Sequence, residues 1–299
     1  MSTTVYFTSN NIRIAALFFP PKNHVGGSRS PGIVVSHPGG GVKEQTASIY
    51  AQRLADQGFA ALAFDAAYQG ESEGTPRGLE DPAQRVEDIK CAVSYLTTRS
   101  EIDPERIAAL GICASGGYVP YAAQTDVRIK AVGTVSAFDS GDAVRNGLDG
   151  KQTPEALQQM LAYSTAMRTA EANGAEPAYT EIIPPNREQG GEGYDYYLTP
   201  RGQHPRSTNK QLVRSLDRLV QFDAFRFMEM VAPRPVLMVA GTEAFSKHYS
   251  ERAIELAKGT NNELFLIEGA THMSLYDQEE HVGPAVKKLV EFYNTALKV

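Results

Sequence analysis

The chain has 299 residues, enough for one large domain or two small ones, and its 42% apolar and 21% charged residues are ordinary for a globular protein. With 29 basic and 35 acidic residues the net charge is −6, which argues against a nucleic-acid surface built on a basic stripe. Two cysteines, Cys91 and Cys113, cannot make a disulfide framework at this length.

The first apolar run, 14–19, has no basic region before it and stops at Pro20-Pro21. It reads neither as a signal peptide nor as a spanning helix, and no other segment approaches the roughly 18 apolar residues a span needs. The expectation is a cytoplasmic chain with reduced thiols and no membrane partner.

Residues 4–19 read as two strands turning at Ser9-Asn10-Asn11. After the polar stretch 22–30, apolar runs alternate with helical patterns. Residues 31–37 form a β-branched run fit for a buried strand, 46–57 a helix closed by Gly58, and 59–65 the next strand. Asp81 and Pro82 supply an N-cap and a first-turn proline for a helix with an apolar face at Val86, Ile89, Val93 and Leu96. Asp103-Pro104 reads as a turn before the strand 106–112. A helix from Ser115 and a strand over 129–137 follow.

Residues 143–230 lose this alternation, carrying helical patterns at 154–172 and 209–230 around a loop rich in Pro, Gly and Tyr. It resumes with a strand at 234–241, a helix at 250–258, a strand at 263–269 and a helix at 283–298. Alternating strands and helices predict an α/β chain with a mostly parallel sheet covered on both faces. The irregular block is too long for a loop. It reads as a helical cap inserted between the sixth and seventh strands, over 143–230, with a core of 1–142 and 231–299. There is no internal repeat or low-complexity tract.

Functional groups of such sheets gather at the carboxyl ends of the strands. After strand 106–112 comes Gly111-Ile112-Cys113-Ala114-Ser115-Gly116-Gly117. Small residues on either side permit a sharp strand-to-helix turn that lifts Cys113 above the sheet, a nucleophile elbow with cysteine in place of serine. A thiol there meets a helix N-terminus, whose dipole favours thiolate. Ser115 competes for the role, but the strand register favours Cys113. Cys91 lies on a helix with no catalytic context.

His272 follows the last strand, where a general base can reach a nucleophile from a neighbouring strand end. The acid that orients it is Glu243, after strand 234–241, or Asp139, after strand 129–137. A thiolate–imidazolium pair also works without a strong third member. His24, His204, His248 and His281 read as surface or cap residues. In His37-Pro38-Gly39-Gly40-Gly41, the N–H of Gly39 or Gly40 completes an oxyanion hole with the Ala114 N–H, since Pro38 has none to give. No Lys-Ser/Thr pair closes that loop as a phosphate cradle would require. No His/Asp/Glu cluster shows metal-ligand spacing, so no metal or other cofactor is expected.

Together these residues resemble an α/β-hydrolase over essentially the whole chain apart from the cap. The cysteine elbow is similar to that of dienelactone-hydrolase-like proteins. The segments HPGGGVKEQ (37–45), FDAAYQGESEG (64–74), GICASGGY (111–118) and EGATHMSLYD (268–277) resemble a YcjY-like, peptidase-like subgroup. Relatives of that subgroup stand beside polyketide synthases, so the resemblance implies acyl thioesters among the substrates. It also implies that the cap roofs the site. Tyr194, Tyr196 and Tyr197, with Arg201 and His204, then line an acyl pocket or pack the cap or a homodimer contact, and Tyr68 faces the site from another strand end.

Three functions follow as expectations. The first is a cofactor-free hydrolase of an ester, lactone or acyl thioester, small or carrier-bound, working through an acyl-cysteine. The second passes the same acyl group to a carbon or alcohol acceptor, as in polyketide-type metabolism. The third is a binding protein that keeps the fold without turnover.

Overall fold

The computed structural model describes residues 2–22, 29–259 and 261–299, and His24 lies outside them. Asn10 and Asn11 both take positive φ and turn the chain between β1 (Thr3–Ser9) and β2 (Ile12–Phe19). Asparagine tolerates the left-handed region better than most residues, so this pair sets the hairpin and its register, Ser9 facing Ile12.

The remaining strands are β3 (Ser30–Ser36), β4 (Ala60–Phe64), β5 (Ile102–Ile112), β6 (Ile129–Val135), β7 (Tyr179–Glu181), β8 (Lys210–Leu212), β9 (Val236–Gly241) and β10 (Glu263–Ile267). Of the ten strands among the described residues, eight form one sheet in the order β1-β2-β4-β3-β5-β6-β9-β10. β2 runs antiparallel to both neighbours, and every other pairing is parallel. The helices are α1 (Thr46–Asp56), α2 (Pro82–Thr97), α3 (Ser115–Thr125), α4 (Ser140–Asn146), α5 (Pro154–Ala172), α6 (Arg187–Tyr197), α7 (Leu216–Leu219), α8 (Lys247–Leu256), α9 (Ser274–Asp277) and α10 (Glu279–Leu297).

Both faces of the sheet are covered, because successive side chains of a strand point to opposite sides. Ile33 and Val35 of β3 pack with α1 and α10, while Val34 between them packs with α2 and α3. Asp81 caps α2 by accepting the Ala83 N–H, and Val86, Ile89, Val93 and Leu96 form its buried face as their spacing predicts. Among the described residues no helix is long and apolar enough to cross a membrane.

Two expected elements differ. Asp103-Pro104 is not a turn before β5 but a bulge inside it: Ser30 pairs with Ile102, yet Gly32 already pairs with Ile107. The Asp103 carboxylate fixes the bulge, accepting from the Glu105 N–H and Arg106 Nε at 3.0 and 2.7 Å. Residues 209–230 are not one helix. β8 pairs with β7, and the Leu212 N–H donates to the Gly78 carbonyl at 2.9 Å. Those non-local bonds outweigh a weak local preference, and helix is left only as short turns, including α7.

Candidate active site

Cys113 stands between β5 and α3 with φ +55°, left-handed backbone that a residue with a side chain rarely adopts. Three main-chain bonds hold it there: its N–H to Val135 O at 3.0 Å, and its carbonyl accepting from Gly116 at 2.7 Å and Phe138 at 3.0 Å. The turn is tight enough to require glycine. A Cβ on Gly111 would lie 2.0 Å from the Ser115 carbonyl oxygen, and one on Gly116 2.6 Å from Ala137 Cα. The thiol therefore projects from the carboxyl edge of the sheet.

Ser115 is one turn away but does not share that outlook. It is fully buried, lies 2.8 Å from Ser36 Oγ and donates to His37 O at 2.6 Å. Its role is to tie α3 to the end of β3, so the competing reading of the elbow loses its geometric basis.

Burial pushes the Cys113 thiol up, against the hydrogen bonds that the Tyr276 hydroxyl and the Ala114 and Gly39 N–H groups give its thiolate and against the Arg85 charge. The expected thiolate at the helix N-terminus gives way to a neutral thiol at rest. Those two amides are members of the expected oxyanion hole, and both converge on Sγ. Gly40 does not: it takes φ +69° and lines the neighbouring cavity.

A buried polar scaffold holds the 37–41 loop. His37 donates from Nδ1 to Pro38 O at 2.7 Å and accepts at Nε2 from the Ala66 N–H at 3.0 Å and Arg85 at 3.1 Å. Arg85 also donates to His37 O at 2.9 Å and pairs with Glu80 at 3.1 Å. Just beyond the loop, Glu44, Asp65 and Glu71 converge closely enough to hold a metal ion. They surround the Lys43 ammonium instead, 2.7 Å from Glu44, 2.8 Å from Asp65 and bonded to Glu71. A cation of the chain itself already fills that centre.

His272 is fully buried just after β10. Its Nδ1 lies 2.5 Å from Ser246 Oγ and its Nε2 3.0 Å from the Tyr276 hydroxyl. The ring stacks on Phe245, with centroids 4.7 Å apart, and meets the edge of Phe138. This apolar surround removes water and lowers its pKa to about 3, so the imidazole is neutral at rest.

Neither carboxylate expected beside it is there. Glu243 is exposed, and its backbone N–H is what the loop uses, donating to Ala270 O at 3.0 Å. Asp139 is buried, but its carboxylate caps α4, accepting from the Gly141 and Asp142 N–H groups at 3.0 Å and from Ala224 at 3.2 Å. Ser246, five residues past the end of β9, occupies the place of the acid.

Cys113, His272, Tyr276, Tyr197, Gly39 and Ala114 line a cavity of about 460 Å³ together with the apolar side chains of Val144, Leu148, Met160 and Leu219. Residues of the 143–230 segment thus line the same cavity as the thiol. Of the tyrosines expected to line the pocket, Tyr197 does so. Tyr194 does not, and Tyr68 lines the adjacent, more polar cavity of about 260 Å³ with Gly40, Arg77 and Arg206. His204, His248 and His281 stand outside both cavities.

The insert also grips the histidine segment. Glu192 of α6 accepts from the Met273 N–H at 3.1 Å and Thr271 Oγ1 at 2.5 Å, and Arg201 pairs with Asp277 at 2.6 Å. Sequence reasoning missed Tyr276, Ser246, Arg85 and Glu192. Only Tyr276 left a local signal, standing one helical turn after His272.

The dienelactone hydrolase family matches over residues 14–146. The uncharacterised protein YcjY of Escherichia coli (strain K12) is 42% identical, over 99% of this chain and 100% of its own. The crystal structure of hypothetical protein PA2218 from Pseudomonas aeruginosa superposes with a TM-score of 0.93 at 33% identity, covering 99% of this chain and 94% of that one. The acyltransferase drtE of Aspergillus calidoustus is 25% identical, over 89% of this chain and 87% of its own.

Proposed function

Because the chain belongs to the dienelactone hydrolase family and has the α/β-hydrolase fold, we propose that it hydrolyses an ester, lactone or acyl thioester through an acyl-cysteine on Cys113. The observation that carries this reading is the placement of one thiol. It stands on a strained turn, under two convergent N–H groups, in an apolar cavity that also holds a buried imidazole.

In this reading Sγ adds to the substrate carbonyl as its proton passes to His272. The carbonyl oxygen takes the negative charge and accepts from the Gly39 and Ala114 N–H groups, donors already fixed in place. The tetrahedral species collapses, and the imidazolium of His272 protonates the departing alcohol or thiol. Water then attacks the thioester with His272 as base, releasing the acid and restoring the thiol. Both partners are neutral at rest, so the ion pair forms only during the reaction.

Intact-mass measurement after mixing with a panel of acyl esters and thioesters tests this. The expected result is a gain of one acyl group that decays in buffer and is absent from Cys113→Ala. An adduct that survives in Cys113→Ala, or none in the unaltered protein, overturns it. A second reading, transfer to an acceptor other than water, is favoured by the relative named as an acyltransferase and by the apolar cavity. Its signature is an acyl-enzyme that persists in buffer and discharges only when an alcohol or carbon acceptor is added.

A further inference from the structure

We infer that the Tyr276 hydroxyl is a catalytic group that relays the thiol proton from Cys113 to His272. The inference rests on the acyl-cysteine reading above and assigns the route by which its nucleophile is formed.

Both ring nitrogens of His272 are engaged, Nδ1 with Ser246 and Nε2 with Tyr276, so Cys113 is not a direct partner of the ring. Cys113, Tyr276 and His272 line one cavity, and Tyr276 is the side chain whose hydroxyl acts on the sulfur. Its ring meets the edge of Tyr197, with centroids 6.4 Å apart. A phenol offers one donor and two acceptor positions. Donation to Nε2, with acceptance from the thiol, gives both groups a partner.

That arrangement defines a two-proton shift. The S–H bond breaks as a new O–H bond forms on Tyr276, and the original Tyr276 O–H bond breaks as an N–H bond forms on Nε2. Afterwards the thiolate accepts from Tyr276, the imidazolium donates to Tyr276, and the phenol is unchanged. Net, one proton has moved from sulfur to nitrogen. Burial holds the Tyr276 phenol far above its ordinary range, so a free tyrosinate is not an intermediate and the two shifts are coupled. The ring cannot swing aside: it is fully buried and meets Tyr196 edge-on at 5.1 Å.

Tyr276→Phe keeps the ring and removes the relay. The readouts are the rate of p-nitrophenolate release in the acylation phase with p-nitrophenyl butyrate, and that rate in H2O–D2O mixtures. The expected wild-type dependence on deuterium fraction is curved, as two protons in flight require. In Tyr276→Phe, acylation falls about a hundredfold and the residual dependence is linear. A loss smaller than about tenfold in a variant folded by near-ultraviolet circular dichroism overturns the relay. So does a linear dependence in the wild type, which needs no variant at all. Failure of the underlying reading shows separately, as a missing acyl adduct on Cys113 in the mass measurement.

Discussion

A serine where a carboxylate is expected changes what His272 can do. A carboxylate at Nδ1 fixes the tautomer and also balances the charge of an imidazolium, whereas a hydroxyl supplies only the first service. Ser246 Oγ, 2.5 Å from Nδ1, is a positioning residue in this sense. A neutral hydrogen bond is worth about 1 kcal/mol, so Ser246→Ala should slow acylation by about fivefold to tenfold. Ser246→Asp should act in the opposite direction on the ring. Its charge raises the His272 pKa, so the acid limb of the pH–rate profile moves to higher pH. Profiles of the three proteins decide the matter. An acid limb that does not move in a folded Ser246→Asp protein would mean that Nδ1 does not sense position 246.

At the scale of elements, the elbow was legible because its constraint is local. Gly111 is imposed by the close approach of β5 and α3 and Gly116 by that of α3 and the segment after β6, and small residues around Cys113 signal that crowding directly. The partner of His272 was not legible, because a search confined to carboxylates leads to Glu243 and Asp139, while Ser246 carries no pattern of its own. Tyr276 stood in view but reads as a core tyrosine until α9 packs under the insert. Residues 209–230 failed for a related reason, since the pairing of β8 with β7 is set by distant chain. The insert also has a local task. Glu192 accepts from Thr271 and from the Met273 N–H, the residues on either side of His272. Glu192→Ala should free that segment and lower turnover by about tenfold. With two such bonds lost, about 1–2 kcal/mol, the melting temperature should fall by about 2–6 °C. Thermal melts beside acylation rates separate two outcomes. A lower melting temperature with unchanged acylation would make Glu192 a fastening only, with no part in aligning the ring.

Across the whole molecule, the same end of the sheet that carries the thiol carries two buried neutral histidines. Burial lowers the His272 pKa to about 3, and burial with the nearby Arg85 charge holds His37 well below its ordinary value. The direction of the consequence is fixed. Between the ordinary value near 6.5 and the lowered one, the unfolded chain binds a proton that the folded chain refuses. Stability from each group is therefore fully present above about pH 6.5 and is lost as pH falls, for His272 toward about 3. Between pH 7 and pH 5 His272 should remove about 2 kcal/mol of unfolding free energy, and His37 acts in the same direction. Acidic groups add their own dependence, so the contribution is isolated by difference. Urea unfolding at pH 7 and pH 5 should give a loss about 2 kcal/mol smaller in His272→Gln than in the wild type, with the denaturant slope unchanged. Equal losses in the two proteins would mean that His272 accepts a proton in the folded state near pH 6, and that water reaches the ring despite the stacked Phe245.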